Sequence, residues 1–536
     1  MAVPSCFQRC RAALIPEKSA GTLGSVSFFL LLLCPLVVLS LDLLQAFMSG
    51  TADIAVPVFI SPRRLSLLAA SIGFAGAVAG TGIVFGILFI SALFRLPKKQ
   101  VYGILLLLLA LAGIPPYIHA LTWSEVLSVL PGLPATGWAI SFWVELMAYL
   151  PLSLFLTWIA FVSVDSRLVD AGRLIRSDLA VFRHIILPLA APALGAAFGF
   201  IFLICCTDYS VPSLFGADVY ALDIFAQFSA SNSPAQAFLY ALPLLGVTLV
   251  VLVGFRSGIR TLAQTPNWFS AQFGNPPIFP GWLCVLQAGA AILLILQIAV
   301  LFSGLILAVG SPDAFITSVV SAQDELLYSL LTAVLVIVIS LPLALPAARE
   351  LKKPGIRGAA AWIIVLLPLA VPAPLIGIGM ITLGNLPFIS AVYPAGIMPA
   401  IVSVIKFAPF AAIILFIQMR FIDPILLDAA AVFARRRTDA LTRIHLPLLA
   451  PGLVVSAGIL SAFTLAELGA TLIVSPPGHA TITMRIYNYL HYGSSSDVAG
   501  LCLMVTLLTL VLCTGTILAL RFISRCHNSA DGDFGP

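Results

Sequence analysis

The feature that most constrains this chain is a series of long apolar runs separated by short polar loops. Each run has roughly 20 residues or more and is almost free of charge, which suits a helix crossing a hydrocarbon core about 30 Å thick. The first six runs lie roughly at 23–47, 66–94, 101–121, 137–164, 189–211 and 234–255. The next six lie roughly at 284–310, 326–348, 359–383, 393–418, 448–472 and 498–520. The sequence therefore predicts an all-α polytopic membrane protein with about twelve transmembrane helices.

Composition excludes a soluble fold. Of the 536 residues, 61% are hydrophobic and only 9% are charged, whereas a soluble globular protein carries roughly 25% charged residues. Backbone groups in lipid must pair internally, and the runs are too long for barrel strands, so helices are the expected spanning structure. The first run is too long for a signal-peptide core and no A-x-A cleavage site follows it, so a retained helix is expected.

The distribution of Lys and Arg predicts the orientation of the helices. Of the 27 basic residues, 23 fall on one side of the predicted bundle, together with both termini. The exceptions are Arg63, Arg64, Lys406 and Arg485. Because cytoplasmic loops carry an excess of Lys and Arg, we expect both termini in the cytoplasm.

The chain repeats itself at an offset of 258 to 259 residues. The segment V-D-S-R-L-V-D-A-G (164–172) aligns with I-D-P-I-L-L-D-A-A (422–430), and L-P-L-A-A-P-A-L (187–194) aligns with L-P-L-L-A-P-G-L (446–453). Six helices make up the first half, so both halves start on the same side and form parallel repeats about an axis along the membrane normal. The predicted organisation is a first repeat over 1–256, a cytoplasmic linker over 257–282 and a second repeat over 283–536, with a central pathway between the halves.

A charged segment between the fourth and fifth helices of each half carries the most specific motif. In the second half, D-A-A-A-V-F-A-R-R-R-T-D-A-L-T-R-I-H-L-P (428–447) resembles the E-A-A-x3-G-x9-I-x-L-P loop of ABC-importer permeases. The matching positions are Asp428, Ala429, Ala430, Ala434 in place of the glycine, Ile444, Leu446 and Pro447. The first copy (170–188) is one residue shorter. It fits with Asp170, Ala171, Gly172 and Pro188, and Arg176 stands near the place of the missing glycine.

This resemblance implies the type I ABC-importer permease fold, a bacterial inner-membrane location and two loops, 165–188 and 420–447, that couple to an ATPase. The implied partners are two copies of an ABC ATPase subunit on the cytoplasmic side and a periplasmic substrate-binding protein, in addition to membrane lipid; no nucleic-acid partner is expected. No G-x-x-x-x-G-K-[ST] motif occurs in the chain. We therefore expect ATP and Mg to bind the partner ATPase, and this chain to be a transport subunit without catalytic residues, cofactor or metal.

The expected substrate follows from the same resemblance. Two permease halves fused in one chain resemble the ferric-iron and thiamine subfamily most closely. We therefore expect ferric iron, with thiamine, a polyamine, a phosphonate or an oxyanion as alternatives. In such systems the binding protein selects the substrate.

Four ionisable residues in the predicted helices are candidates for the pathway or its gate, because such residues are costly in lipid. Asp208 and Glu467 are related by the repeat, and each lies 20 residues after an L-P proline, about 30 Å along a helix at its outer end. They either attract a cation or hold the outer gate, or they cap or pair locally near the water interface. Glu145 and Lys406 lie in the fourth and tenth helices, with Lys406 equivalent to Ala148. We expect a structural ion pair between them across the pseudo-axis, with substrate contact as the alternative.

Two other functional classes remain open. A proton-coupled secondary transporter would use Glu145, Asp208 or Glu467 as a proton site, and a passive channel or scaffold needs none of them. The duplicated loop argues against both, because neither has a reason to display it twice.

Small residues and thiols are interpreted as packing features. Gly76, Gly80, Gly82 and Gly86 form two G-x-x-x-G pairs in the second predicted helix, which favours close helix contact. The adjacent Cys205 and Cys206 are expected to pack in the protein interior.

The two copies of the coupling motif predict unequal ATPase contacts. We expect Ala430→Glu, which places a bulky charge on a surface of small residues, to uncouple transport more strongly than Arg176→Ala. The reason is that only the second copy keeps the full family spacing. Transport measured at equal expression tests this, and comparable transport by Ala430→Glu and wild type would refute it.

Overall fold

The computed structural model describes residues 18–49, 61–128, 136–262, 277–386, 389–390, 396–423, 425–426, 441–492 and 495–532. Over these ranges the regular structure is helical, with no strand. The helices of the first half are α1 (Lys18–Met48), α2 (Pro62–Leu93), α3 (Lys98–Ala112), α4 (Pro116–Ser128), α5 (Trp138–Val162), α6 (Ser166–Arg173), α7 (Asp178–Val181), α8 (Leu187–Thr207), α9 (Ser210–Leu214), α10 (Tyr220–Ser231) and α11 (Pro234–Leu262).

The second half contains α12 (Gly281–Val309), α13 (Pro312–Ser321), α14 (Gln323–Leu351), α15 (Gly355–Ala370), α16 (Ala373–Gly384), α17 (Met398–Phe421), α18 (Leu446–Ala466), α19 (Thr471–Val474), α20 (Ile482–Tyr492) and α21 (Ser495–Gly532). A π-helical turn precedes each L-P motif, at Phe182–Ile186 and Leu441–His445. The same local structure therefore occurs at the equivalent position of each half.

Ten helices in the described ranges are long and apolar enough to cross a membrane, and two bent pairs bring the number to twelve if each pair is one span. The prediction of an all-α polytopic membrane protein with about twelve transmembrane helices is confirmed. The third and ninth spans, however, are broken. α3 and α4 meet at 92°, and α15 and α16 meet at 101°.

Prolines explain both bends. Pro115 and Pro116 follow the end of α3, and Pro372 and Pro374 follow the end of α15. A proline ring removes a backbone donor and disfavours helical geometry in the residue before it, and Val371 is indeed extended, with φ −92° and ψ 125°. α3 ends at residue 112 and α15 at residue 370, a difference of 370 − 112 = 258 that equals the repeat offset.

Each half is built around three mutually packed helices. In the first half these are α2, α5 and α8, and in the second half they are α14, α17 and α18. The first helix of each half crosses to the other half: α1 packs against α14, α15 and α16, while α12 packs against α2 and α4. The two halves are therefore interlocked rather than joined only by a linker.

The structure changes one predicted boundary. α11 continues to Leu262 and α12 begins at Gly281, so residues 257–262 of the predicted linker belong to a helix. The apolar character of the run ends near 255, but the helix continues into polar residues because its backbone hydrogen bonds do not depend on hydropathy.

One of the two G-x-x-x-G pairs makes the predicted close contact. A Cβ on Gly82 would lie 2.6 Å from Ser153 Oγ, and a Cβ on Gly86 would lie 2.9 Å from Thr157 Cβ, so α2 and α5 approach through these glycines. By contrast, a Cβ on Gly76 would meet nothing within 4 Å, and one on Gly80 would reach only Phe198 at 3.8 Å. Helix packing thus explains the second glycine pair and not the first.

The glycine contact predicts a difference between two equal substitutions on α2. Gly86→Leu should destabilise the protein by about 1–3 kcal/mol, because the new side chain has no room against Thr157. Gly76→Leu should have little effect, since its position is open. Thermal unfolding of the purified chain measures both, and equal midpoints for the two variants would contradict the packing interpretation.

Candidate functional site

A cavity of about 200 Å³ lies at the junction of the two halves. Its walls come from α5 and α8 of the first half, α17 and α18 of the second half, and both bends of the broken spans. Several lining residues are related by the repeat, among them Leu152 with Phe410 (410 − 152 = 258) and Asp208 with Glu467 (467 − 208 = 259). The cavity therefore lies where the pseudo-twofold axis passes between the halves.

Asp208 and Glu467 end equivalent helices beside this cavity. Asp208 is the residue after α8 and Glu467 the residue after α18, so each carboxylate stands where a helix stops and the chain turns. This agrees with the position expected from the 20-residue spacing. Both side chains belong to the lining of the cavity.

The second-half acid is neutralised within the protein. Lys406 Nζ donates to Glu467 Oε2 at 2.5 Å, and the backbone N–H of Ala470 donates to Glu467 Oε1 at 2.7 Å. The Glu467 side chain is only 2% exposed. A carboxylate so deeply buried needs such a partner, because desolvating an unpaired charge is expensive.

The first-half acid has a different environment. Asp208 Oδ1 accepts the backbone N–H of Ser210 at 2.9 Å, and Asp208 Oδ2 accepts the hydroxyl of Tyr149 at 3.3 Å. No ion pair to Asp208 occurs among the residues that the structure describes. The two equivalent acids therefore differ in their partners: Glu467 forms an ion pair, and Asp208 forms none in the described ranges. They are not a symmetric pair of unpaired carboxylates.

The predicted ion pair between Glu145 and Lys406 is wrong. Lys406 binds Glu467, and Glu145 is fully buried one turn before Tyr149. In the described part of the chain no nitrogen or oxygen donor binds the carboxylate oxygens of Glu145, which has the Cys205 thiol as a polar neighbour and Asp208 close by. Sequence spacing placed Glu145 and Lys406 on equivalent helices but could not show which acid the flexible lysine reaches.

Phenylalanine rings close the cavity on the side toward the coupling loops. Phe410 lies between Phe200 and Phe463, with ring centres 6.0 and 5.1 Å away, and Phe407 lies 5.5 Å from Phe463. Phe200 precedes Asp208 by eight residues on one helix, which is about 12 Å. We call these four residues the aromatic floor; they come from both halves.

Cys205 and Cys206 are both buried, as expected for packing residues. The cavity-lining residues that the sequence analysis missed are Tyr149, Tyr209 and the aromatic floor. The sequence does not show which aromatic residues of an apolar span line a cavity. Tyr149 could have been found because it directly follows Ala148, the equivalent of Lys406.

The segment predicted to be the first coupling loop, residues 165–188, forms a short helix that packs against the following π-helical turn. Asp165 caps α6 by accepting the backbone N–H of Arg167 at 2.9 Å. Gly172 packs closely against this turn, because a Cβ there would lie 2.5 Å from Ile185 Cδ1. Of the other predicted residues, Asp170, Ala171, Arg176 and Pro188 are exposed.

The tip of this loop presents two apolar side chains to the exterior. Leu174 is 88% exposed and Ile175 is 85% exposed. They follow α6 directly and precede Arg176. An exposed apolar pair on a structured loop is typical of a surface that binds another protein.

The segment that enters the second half is docked on the same loop. The backbone N–H of Ile278 donates to Asp178 Oδ2 at 2.6 Å, and Asp178 also pairs with Arg173 at 2.7 Å. The ring of Phe279 lies between Phe182, 5.7 Å away, and the guanidinium of Arg95, 5.2 Å away. The start of α12 is therefore attached to the coupling loop of the first half.

The corresponding loop of the second half is only partly described. Asp428, Ala429, Ala430 and Ala434 lie outside the described residues. Leu446 and Pro447 are described, and both are exposed at the start of α18. The coupling role assigned to this loop by resemblance stays a prediction.

Comparison with known proteins adds one finding. No protein-family model matches the chain. A stretch of 72 residues is 33% identical to the 2-aminoethylphosphonate transport system permease protein PhnV of Salmonella paratyphi A and to that of Salmonella typhi. The stretch covers 13% of this chain and 27% of each relative, so the chain spans about a quarter of the length of the curated relatives that it matches. Part of this chain is similar to a transport permease, which supports the resemblance to ABC-importer permeases in general.

The Lys406–Glu467 pair predicts a stability difference that a surface pair does not. Lys406→Met should cost about 3 kcal/mol, because it leaves the buried carboxylate without its cation. The double variant Lys406→Met/Glu467→Gln should recover most of this loss. Lys353→Met is the control, since Lys353 pairs with Glu350 but is 43% exposed, and it should cost less than about 1 kcal/mol. Thermal unfolding of the purified chain measures all three variants, and wild-type stability of Lys406→Met would contradict the assigned role of the pair.

Proposed function

We propose that the chain is the transmembrane permease of a bacterial ABC importer and forms the path for a small solute through the inner membrane. The observation that carries the proposal is the cavity at the junction of two structurally equivalent halves. A site between two repeats can be exposed to either side of a membrane when one repeat rocks against the other. The partial similarity to a transport permease supports the same function.

The coupling loops are the proposed contacts with two ATPase subunits. Both termini and most Lys and Arg residues lie on the same predicted side as these loops, which we take as cytoplasmic. Leu174 and Ile175 would enter an apolar groove of the ATPase subunit. Because α12 begins beside the first loop, a push on that loop would reach both halves.

The proposed partner on the other side is a periplasmic substrate-binding protein. Ferric iron is the substrate expected from the fused architecture, and 2-aminoethylphosphonate is the candidate that the name of the relatives adds. Thiamine, polyamines and oxyanions are the other candidate substrates. All of these would follow the same route past Asp208 and Lys406.

A proton-coupled secondary transporter is the competing function. Buried Glu145, whose carboxylate has no basic partner in the described ranges, is the observation that favours it, because intramembrane acids often carry protons. The two functions differ in their energy source, so transport assays separate them.

The test is uptake of each labelled solute by cells lacking this chain and by cells complemented with it. We expect uptake that requires ATP and is blocked by orthovanadate, an inhibitor of ABC ATPases. It should survive a protonophore as long as ATP is maintained. Uptake that continues without ATP and stops when the proton gradient collapses would establish the competing function instead.

A matched pair of loop variants tests the coupling contact. Ile175→Asp should lower ATP-driven uptake at least about tenfold, because a charge cannot enter an apolar groove. Ile356→Asp is the control, because Ile356 is 88% exposed and lies in the first turn of α15 on the same predicted side, outside the coupling loops. Both variants should be as stable as wild type. Equal uptake by the two variants at matched abundance would exclude the first loop as the ATPase contact.

A further inference from the structure

The charges that line the cavity do not balance. Asp208, Glu467 and Lys406 are the charged residues among its described walls. Lys406 neutralises Glu467 at 2.5 Å, which leaves one negative charge on the first-half side. A cavity enclosed by apolar walls strengthens the attraction of that charge for a cation.

The second half shows which cationic group neutralises a carboxylate at this position of the repeat. In the second half, Lys406 on α17 supplies an ammonium group to Glu467. The equivalent residue in the first half is Ala148 (406 − 148 = 258), which also lines the cavity and carries no charge. Asp208 therefore occupies the position equivalent to Glu467, but an alanine stands at the position equivalent to Lys406.

Asp208 retains capacity for further hydrogen bonds. Each of its carboxylate oxygens accepts a single hydrogen bond, from Ser210 and from Tyr149, and a carboxylate has about four acceptor positions. Asp208 can therefore accept further hydrogen bonds from a donor that enters the cavity.

Aromatic rings complete the environment. Lys406 Nζ lies 5.4 Å from the centre of the Phe407 ring, so the cavity already holds one ammonium group with a carboxylate and a ring. Tyr149 occupies the position equivalent to Phe407 (407 − 149 = 258) beside Asp208. Ring faces attract organic cations, whereas a metal ion such as iron prefers several oxygen, nitrogen or sulfur ligands.

We propose that Asp208 and Tyr149 form a subsite that binds the ammonium group of a small organic solute during its passage through the cavity. The inference rests on the proposed permease function and specifies the class of solute. The ammonium group of the solute pairs with Asp208 in the way that the ammonium group of Lys406 pairs with Glu467 in the second half. A bare ferric ion does not fit, since a single carboxylate without its own cation is available to it.

Binding to the full-length chain in lipid nanodiscs tests the subsite without any partner protein. The probes are 2-aminoethylphosphonate, its amine-free analogue ethylphosphonate, ethylamine and ferric citrate. We expect the two amines to bind, and ethylphosphonate and ferric citrate not to bind, at concentrations up to about 10 mM. Absence of amine binding, or equal binding of 2-aminoethylphosphonate and ethylphosphonate, would overturn the proposal.

Variants assign the binding to the subsite. Asp208→Asn should weaken amine binding about tenfold or more, while Asp313→Asn, an exposed acid in the first turn of α13, should leave it unchanged. Ala148→Lys reproduces the second-half arrangement and should abolish amine binding by supplying a resident ammonium. Undiminished amine binding to Ala148→Lys would refute the subsite even if Asp208→Asn failed to fold.

The outcomes separate the subsite from the function that it serves. If uptake is driven by ATP but the purified chain shows no preference for amines, the subsite is wrong and the permease function stands. If amines bind through Asp208 but uptake follows the proton gradient, the subsite stands and the ABC permease function is wrong.

Discussion

The rest of this structure depends on the requirement that backbone polar groups at membrane depth be paired or covered by protein. Two bends, after Ala112 and after Ala370, interrupt the hydrogen bonding of otherwise continuous spans. Such breaks are tolerated in a membrane where protein surrounds them or a cavity adjoins them. Because the bends occupy the same position in each repeat, both line one cavity between the halves, and the crossed packing of α1 and α12 encloses them.

The repeat makes the two halves equivalent in backbone but not in charge. Lys406 satisfies Glu467, while Ala148 leaves Asp208 to a tyrosine and a backbone amide. If the two acids had the same neighbours, the two sides of the cavity would carry the same charges. The exchange of lysine for alanine leaves an ion pair on one side of the cavity and, on the other, a carboxylate without an ion pair in the described ranges.

The predicted coupling loop of the first half, residues 165–188, is linked to the cavity through the helices that follow it. α6 precedes α8, which ends at Thr207 directly before Asp208, so the predicted first coupling loop is continuous with a helix that reaches the cavity. The contact between Ile278 and Asp178 adds the start of α12 to the same unit. Since α12 packs against α2 and α4, the loop, the linker end and the bent third span form one continuous path of contacts.

The sequence by itself determined the helical class, the approximate number of spans and the duplication, because lipid thickness sets the length of an apolar run and a constant offset sets the order of helices. It also placed Asp208 and Glu467 at helix ends, since rise per residue is fixed. The prolines at the bends, Pro115, Pro116, Pro372 and Pro374, are visible in the sequence. The apolar runs continue through them, however, so hydropathy did not reveal that the helices break there. Only the tertiary structure decided that Lys406 contacts Glu467 and not Glu145, because a long flexible side chain can reach several neighbouring helices and the packing of those helices sets which acid lies within its reach.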